Sequence, residues 1–452
     1  MNFPRKRQLL TFCFSASLFL LAFFPTGAAA SALTLAWDPN TEDDLAGYKV
    51  YYGLEPGNYD SVVDVGNVTQ YTVTDLEPET RYYFAVTAYD TSLNESDFSE
   101  EVSGVTDPLN LVITGLGEMS VGYMEAFAPD YSHGDWLRVD WWDYNSANGE
   151  ARLATGDIDG DGKHEVVIGL APVSGEPSVP GGYFQVLDDD YTHLAWGRVN
   201  WSGYNNANGE SWPACGDVDG DGKDEIIIGL GPYPAEGGWL EVFEYDAGNL
   251  AHKAWIRVNW GLYNSESGET RPACGDIDGD GRDEIVVGLG PVSGDPSLPG
   301  GWFQILDDDY THLAWGRIKW TGYNSANGET WPACGDVDGD GEDEIIIGLG
   351  SHPSSGGWLE VFDYIPGDVA HTAWKRVNWG GYNSQNGEAR PRCGDIDGDG
   401  KDEIVVGLGQ GGKGWMEIFD DSSTGFGHLN WVLVEWKDYC IANGETWPAV
   451  RK

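Results

Sequence analysis

Gly156-Asp157-Ile158-Asp159-Gly160-Asp161-Gly162-Lys163-His164-Glu165, followed at once by Val166-Val167-Ile168-Gly169-Leu170, returns four more times along this 452-residue chain. The later copies place their first acid at Asp217, Asp276, Asp336 and Asp395, so the interval is 59 or 60 residues. A fixed period of this length marks an array in which each repeat is one supersecondary unit. Around the second copy lie four strand-like runs, Trp212 to Gly216, Glu225 to Leu230, Trp239 to Tyr245 and Trp255 to Trp260. Four antiparallel strands per repeat predict a propeller blade.

The ends of the array predict closure. It opens with Leu111-Val112-Ile113-Thr114-Gly115-Leu116-Gly117, which corresponds to the second strand of a unit, and stops at Trp447-Pro448-Ala449-Val450, which corresponds to the first. Each end holds the strand the other lacks. The expectation is six blades over residues 109–452, with the C-terminal strand completing the first blade and leaving no open sheet edge there. That blade lacks an acidic loop, so six blades carry five. A second period overlays the first: residues 171–201 nearly recur at 290–320, as expected from duplicated blade pairs, and the long inserts at 173–182 and 292–301 alternate with short ones.

Each loop reads Asp-x-Asp-Gly-Asp-Gly-x-x-Glu. Hard oxygen ligands at alternate positions suit Ca2+, with glycine relieving the backbone where three Asp must converge. Position seven would add a main-chain carbonyl and position nine a Glu. The expected ligand sets are Asp157, Asp159, Asp161, Lys163 and Glu165; Asp217, Asp219, Asp221, Lys223 and Glu225; Asp276, Asp278, Asp280, Arg282 and Glu284; Asp336, Asp338, Asp340, Glu342 and Glu344; and Asp395, Asp397, Asp399, Lys401 and Glu403. About five calcium sites are expected. A helix–loop–helix site is excluded, because it puts its last acid at position twelve and continues as a helix, whereas Glu165 runs into a β-type segment. With Gly-Asp before the loop and Val/Ile-Gly-Leu-Gly after it, the array resembles the FG-GAP repeats of integrin α-subunits and related bacterial surface proteins. That resemblance implies a propeller whose metals sit between a blade's first and second strands and brace it.

Residues 1–30 read as an export signal: Arg5, Lys6 and Arg7, an apolar run from Leu9 to Phe24, then Ala28-Ala29-Ala30. A secreted or cell-surface location is therefore expected, with no membrane span. Residues 31–107 show strand patterns at Leu33 to Trp37, Tyr48 to Tyr52, Tyr71 to Leu76, Tyr82 to Tyr89 and Glu101 to Thr106. With Trp37 and the run Leu76-Glu77-Pro78-Glu79-Thr80-Arg81-Tyr82, which looks like a tyrosine corner, this segment resembles a fibronectin type III sandwich. The whole is expected to be all-β. Its 74 acidic and 25 basic side chains, a formal charge of −49, exclude nucleic acid and anionic lipid as partners over most of the surface.

The connection to the next blade also recurs, as Trp196-Gly197-Arg198-Val199-Asn200-Trp201, then Gly203-Tyr204-Asn205 and Asn208-Gly209-Glu210. The last copy departs from it, with Leu433 for the Arg and Cys440 for the first Asn. Aromatic faces beside amides and carboxylates suit a sugar, so the candidate ligand residues are Tyr204, Asn205 and Glu210; Tyr263, Asn264 and Glu269; Tyr323, Asn324 and Glu329; and Tyr382, Asn383 and Glu388. The alternative is blade-to-blade packing by the Trp pair and turn formation by Asn-Gly. A His precedes each first Trp by three positions, at His133, His193, His252, His312, His371 and His428, where a turn-stabilising hydrogen bond is expected. Cys215, Cys274, Cys334 and Cys393 stand where other blades have Thr155 and Val450, which reads as a small, buried strand position. The functional expectation is a non-enzymatic adhesion or lectin-like protein binding a glycan or an extracellular protein through repeated blade loops. The alternatives are a self-associating layer or fibre subunit and a polysaccharide-active enzyme.

Overall fold

The structure is a computed structural model, describing residues 19–20, 31–37, 39–40, 42, 44–76, 80–106, 112–128, 130–173, 179–233, 236–246, 248–291 and 298–451. The export signal lies outside the described residues except for Phe19 and Leu20, and parts of both long inserts and Glu77-Pro78-Glu79 lie outside them too. The chain divides into two compact units, Met1–Leu109 and Asn110–Lys452. No described helix is long and apolar enough to cross a membrane.

The first unit holds two sheets. One orders Phe19–Leu20, Ser31–Ala36 and Gln70–Leu76; the other orders Ser61–Gly66, Leu45–Gly53, Arg81–Asp90 and Val102–Val105. Trp37, Tyr48, Val50, Tyr82, Phe84 and Val86 fill the core. The strand Ser61–Gly66 is absent from the sequence reading; none of its positions is buried.

The second unit contains six four-stranded antiparallel sheets among the described residues. In the second of them the strands are Ala151–Gly156, Glu165–Leu170, Tyr183–Leu187 and His193–Arg198, in sequence order across the sheet. The first sheet is assembled from both ends of the unit: Thr446–Val450 pairs with Val112–Leu116, placing Thr446 opposite Leu116 and Val450 opposite Val112.

Second strands are β-branched and buried on both faces, and alternate side chains serve different neighbours. Ile226 and Ile228 pack with Phe184 and Val186 of the preceding sheet, whereas Ile227 packs with Ile285 and Val287 of the following one. The same division runs on through Val286 with Ile345, Ile346 with Ile404, and Val405 with Val112. Finally Ile113 shares a core with Val166 and Ile168. Each sheet thus has a core in common with two others, and the sixth shares one with the first. Burying each such side chain contributes about 2–3 kcal/mol.

The connections between sheets are short helices rather than the loops expected. Ser202–Ala207 is one, and Trp142–Ala147, Gly261–Glu266, Thr321–Ala326, Gly380–Asn383 and Lys437–Ala442 are its counterparts. The Asn-Gly pair that reads as a turn supplies the stop, since Gly209 lies in the left-handed region at φ +71.

Candidate functional site

The acidic loops join the first and second strands of five sheets. Two glycines make the loop: Gly160 at φ +82 and Gly162 at φ +88. Backbone donors then fix the acids. Asp157 accepts from the amides of Gly160 at 2.8 Å and Gly162 at 3.0 Å, Asp159 accepts from Asp161 at 3.1 Å, and Asp161 accepts from Lys163 at 3.0 Å. Glu165 comes from the start of the second strand, is fully buried, and accepts through Oε2 from the amide of Ile158 at 2.8 Å. Its other oxygen, Oε1, is buried without a protein partner, as are Oε2 of Glu225 and Oε1 of Glu284 and Glu403. Asp157, Asp159 and Glu165 each offer an oxygen within 4.8 Å of the others, and the Asp217 and Asp276 loops repeat that grouping.

A buried carboxylate oxygen facing two more carboxylates is costly in protein alone, and burial with help from Asp159 pushes the Glu165 carboxyl up to about 8. Glu284, Glu344 and Glu403 are likewise pushed to about 8, and Glu225 to about 7. A divalent cation would satisfy the orphan oxygen and offset the repulsion, so the residues present fit calcium. At position seven the Lys163 and Arg282 side chains turn outward to Asp189 at 2.5 Å and Asp308 at 2.7 Å, leaving the main chain as the part that could ligate. Those partners belong to acidic turns, Asp188-Asp189-Asp190 and Asp307-Asp308-Asp309, which sequence reasoning missed.

The candidate ligand residues sit elsewhere than expected. Tyr204, Tyr263, Tyr323 and Tyr382 are buried. The Tyr204 hydroxyl donates to the Glu210 carbonyl at 2.5 Å and accepts from the Gly231 amide at 2.7 Å, tying its helix to the next sheet. The other three repeat both bonds, with Glu269 and Gly290, Glu329 and Gly350, and Glu388 and Gly409. Asn205 donates to the Val199 carbonyl at 2.7 Å, and Asn264, Asn324 and Asn383 donate to Val258, Ile318 and Val377. Asn205 also packs so closely on Gly182 that a Cβ there would overlap its amide. These side chains serve the backbone, and a soluble ligand does not reach them.

The Glu residues are counter-ions. Arg152 bridges Glu150 at 2.8 Å and Glu210 at 2.7 Å; Arg271 bridges Glu269 at 2.5 Å and Glu329 at 2.6 Å; Arg390 reaches Glu388 at 2.7 Å and Glu445 at 3.6 Å. All three guanidiniums are buried, and each stacks on a Trp ring: Arg152 on Trp212 at 3.6 Å, Arg271 on Trp331 at 3.5 Å, Arg390 on Trp447 at 3.4 Å. The three Trp rings also pack on one another at 5.2–5.4 Å. First strands therefore contribute Arg and Trp alternately, which agrees with duplicated blade pairs. We predict that Arg271→Ala costs about 3–5 kcal/mol, because two buried carboxylates lose their partner. Urea unfolding would measure it, and adding Glu269→Gln and Glu329→Gln should recover much of the loss.

The recurrent His residues bond to a buried third-strand residue rather than within their own turn. His252 meets Glu241 at 2.9 Å and His428 meets Glu417 at 3.0 Å, whereas His193 meets Gln185 at 3.2 Å. Oε2 of Glu241 accepts from the Asn200 amide at 2.8 Å, stitching neighbouring sheets. Cys215, Cys274, Cys334, Cys393 and Cys440 form no disulfide among the described residues. Burial, reinforced by Asp224, holds the Cys215 thiol well above its ordinary range and so protonated. Four of these thiols line a cavity of about 290 Å³ together with His164, Asp224, Asp283, Asp343 and Arg392.

The open clefts are aromatic. One of about 640 Å³ is lined by Trp201, Trp239 and Trp255 with Asn200, Glu236 and Arg257. Trp255 stands edge-on to Trp201 at 6.4 Å and to Trp239 at 6.0 Å, and the Arg257 guanidinium lies 4.9 Å from the Trp239 ring centre. Two sheets further on, Trp320, Trp358 and Trp374 with Lys319 and Ser355 line another of about 470 Å³. Each cleft takes one Trp from the N-cap of a connecting helix and two from the next sheet. The sequence showed the Trp pair on each outer strand but not the third ring across the gap.

An all-β chain of repeated four-stranded sheets with acidic first hairpins defines a propeller-type repeat protein. Residues 25–105 match the fibronectin type III domain and residues 217–287 match the FG-GAP-like repeat. A Kelch domain-containing protein of Saccharolobus solfataricus is 33% identical over 117 residues, covering 25% of this chain and 15% of that protein's length. Similar solved structures include a rhamnogalacturonan lyase of Bacillus licheniformis, 14% identical over 84% of this chain and 87% of that one, with a TM-score of 0.34. They also include the Dos1 propeller, 10% identical over 83% and 87%, TM-score 0.36, and the NanB sialidase of Streptococcus pneumoniae, 9% identical over 89% and 87%, TM-score 0.33. The expectation that this chain is not an enzyme is corrected here. Lyases and a sialidase stand among the similar structures, at TM-scores of 0.32–0.34.

Proposed function

We propose that this protein is a secreted, calcium-braced propeller of six blades, closed by its C-terminal strand, that engages extracellular polysaccharide in the clefts between blades. The observation that carries the polysaccharide reading is the recurrence of one cleft, three Trp rings beside a charged side chain, at two sheet junctions that lie two sheets apart. Sugar rings present C–H patches that lie on aromatic faces, while their hydroxyls can donate to the Glu236 carboxylate and accept from Asn200 and Arg257 at the rim. Repetition multiplies weak sites on one polymer into firm retention. The ring closure is supported by the pairing of Thr446–Val450 with Val112–Leu116 and by the six shared cores.

On a panel of immobilised polysaccharides in calcium buffer, Trp255→Ala combined with Trp374→Ala is expected to weaken retention at least tenfold with the fold intact, whereas Tyr204→Phe should lower stability and leave binding by folded protein unchanged. Retention unchanged in the Trp double variant, or absent on every polysaccharide, would count against the clefts.

Cleavage of the bound polymer is a second reading, favoured by the cavity that gathers His164, Asp224, Asp283, Asp343 and Arg392. His164 stands where the other loops carry Asp, which singles it out. Release of unsaturated or reducing ends, abolished by His164→Ala, would support it.

A further inference from the structure

The outer hairpin of each blade carries a β-bulge. In the five sheets that hold an acidic loop, the extra residue is Leu194, Lys253, Leu313, Thr372 or Leu429. A bulge re-aims its side chain, and in one sheet the side chain so aimed is a cation. Lys253 Nζ stands 2.5 Å from Asp219 Oδ2, 2.7 Å from Glu225 Oε1 and 3.8 Å from Glu244 Oε2. Asp219 and Glu225 are two of the acids this loop would offer a metal, and Glu225, with its side chain 2% exposed, keeps Oε2 unpartnered. An ammonium therefore already bridges two of the acids of the second loop, Asp219 and Glu225, and lies near Glu244 on the facing strand.

We propose that Lys253 is a built-in counter-ion that makes the second loop a weak calcium site, so that the chain takes up four calcium ions tightly and a fifth only at much higher concentration. This rests on the reading of the acidic loops as calcium sites. A divalent ion and an ammonium cannot share the same pair of carboxylates, so binding here requires Lys253 to swing out, and like charges at this distance repel strongly. The other four sheets present Leu or Thr at the bulge and demand no such displacement. The second loop, in turn, stays neutralised where calcium is scarce, and one blade of the propeller keeps its hairpin without metal.

The test is calcium titration calorimetry of the full chain and of Lys253→Leu, the residue at three of the equivalent positions, with melting of both in calcium and in chelator. Four tight equivalents in the native chain and five in the variant are expected, the fifth site gaining at least tenfold in affinity. The variant should melt below the native chain in chelator, where Asp219 and Glu225 have lost the ammonium that pairs with them, and should match or exceed it in calcium. Five equal sites in the native chain, an unchanged count in the variant, or a lower melting point under both conditions overturns the proposal. Uptake at no loop overturns the calcium reading itself, which separates the two failures.

Discussion

In excess chelator the propeller unit should melt about 20 °C lower than in millimolar calcium. A ligand held at a thousand times its dissociation constant adds about 4 kcal/mol per site, so four such loops add about 16 kcal/mol. Unfolding entropy of about 2 cal/mol/K per residue over residues 110–452 converts this into the stated shift. The physical origin lies in the loops: Asp157, Asp159 and Glu165 converge within 4.8 Å, and Glu165 keeps a buried oxygen that no protein group satisfies. Without a cation the loop must protonate a carboxyl, spread its acids or open the hairpin. Scanning calorimetry in calcium, in chelator and after calcium is restored would measure the effect. Coincident traces would mean that the loops stand without metal.

Removing residues 446–452 should abolish cooperative folding of the propeller unit. The lost strand pairs with Val112–Leu116 from the other end of the unit, and it carries Trp447, Ala449 and Val450, all buried. Trp447 holds the Arg390 guanidinium at 3.4 Å and packs against Trp212 and Trp331, so its loss opens the Arg–Trp cluster as well as one sheet. Truncating a buried Trp alone costs about 3–5 kcal/mol, and the exposed strand edge becomes a template for aggregation. The expected result is soluble aggregate or a broad, non-cooperative melt, with Trp447→Ala falling between truncated and native chains. A truncated chain that melts sharply near the native temperature would show that the unit does not depend on this strand.

The repeated sheets were legible because their signal is local and copied. The acidic loops were legible for the same reason, since acids and glycines at fixed offsets leave few other readings. The polar loop residues were not. Tyr204, Asn205 and Glu210 have the composition of a sugar site, yet the first two satisfy main-chain groups and the third neutralises Arg152. A chemistry suited to ligands is equally suited to closing a blade junction, and only burial tells them apart. Non-local features were the hardest to see. The partners of the Arg–Trp cluster are about sixty residues apart, the three Trp of each cleft come from two blades, and the cavity groups come from several.

The account depends most on divalent ions held by the acidic loops. Metal analysis of purified full-length chain, dialysed against micromolar free calcium, counts them directly. The account predicts about four bound calcium ions per chain, lost together when the loop acids Asp157, Asp276, Asp336 and Asp395 are changed to Ala. A folded native chain that retains no calcium would contradict it.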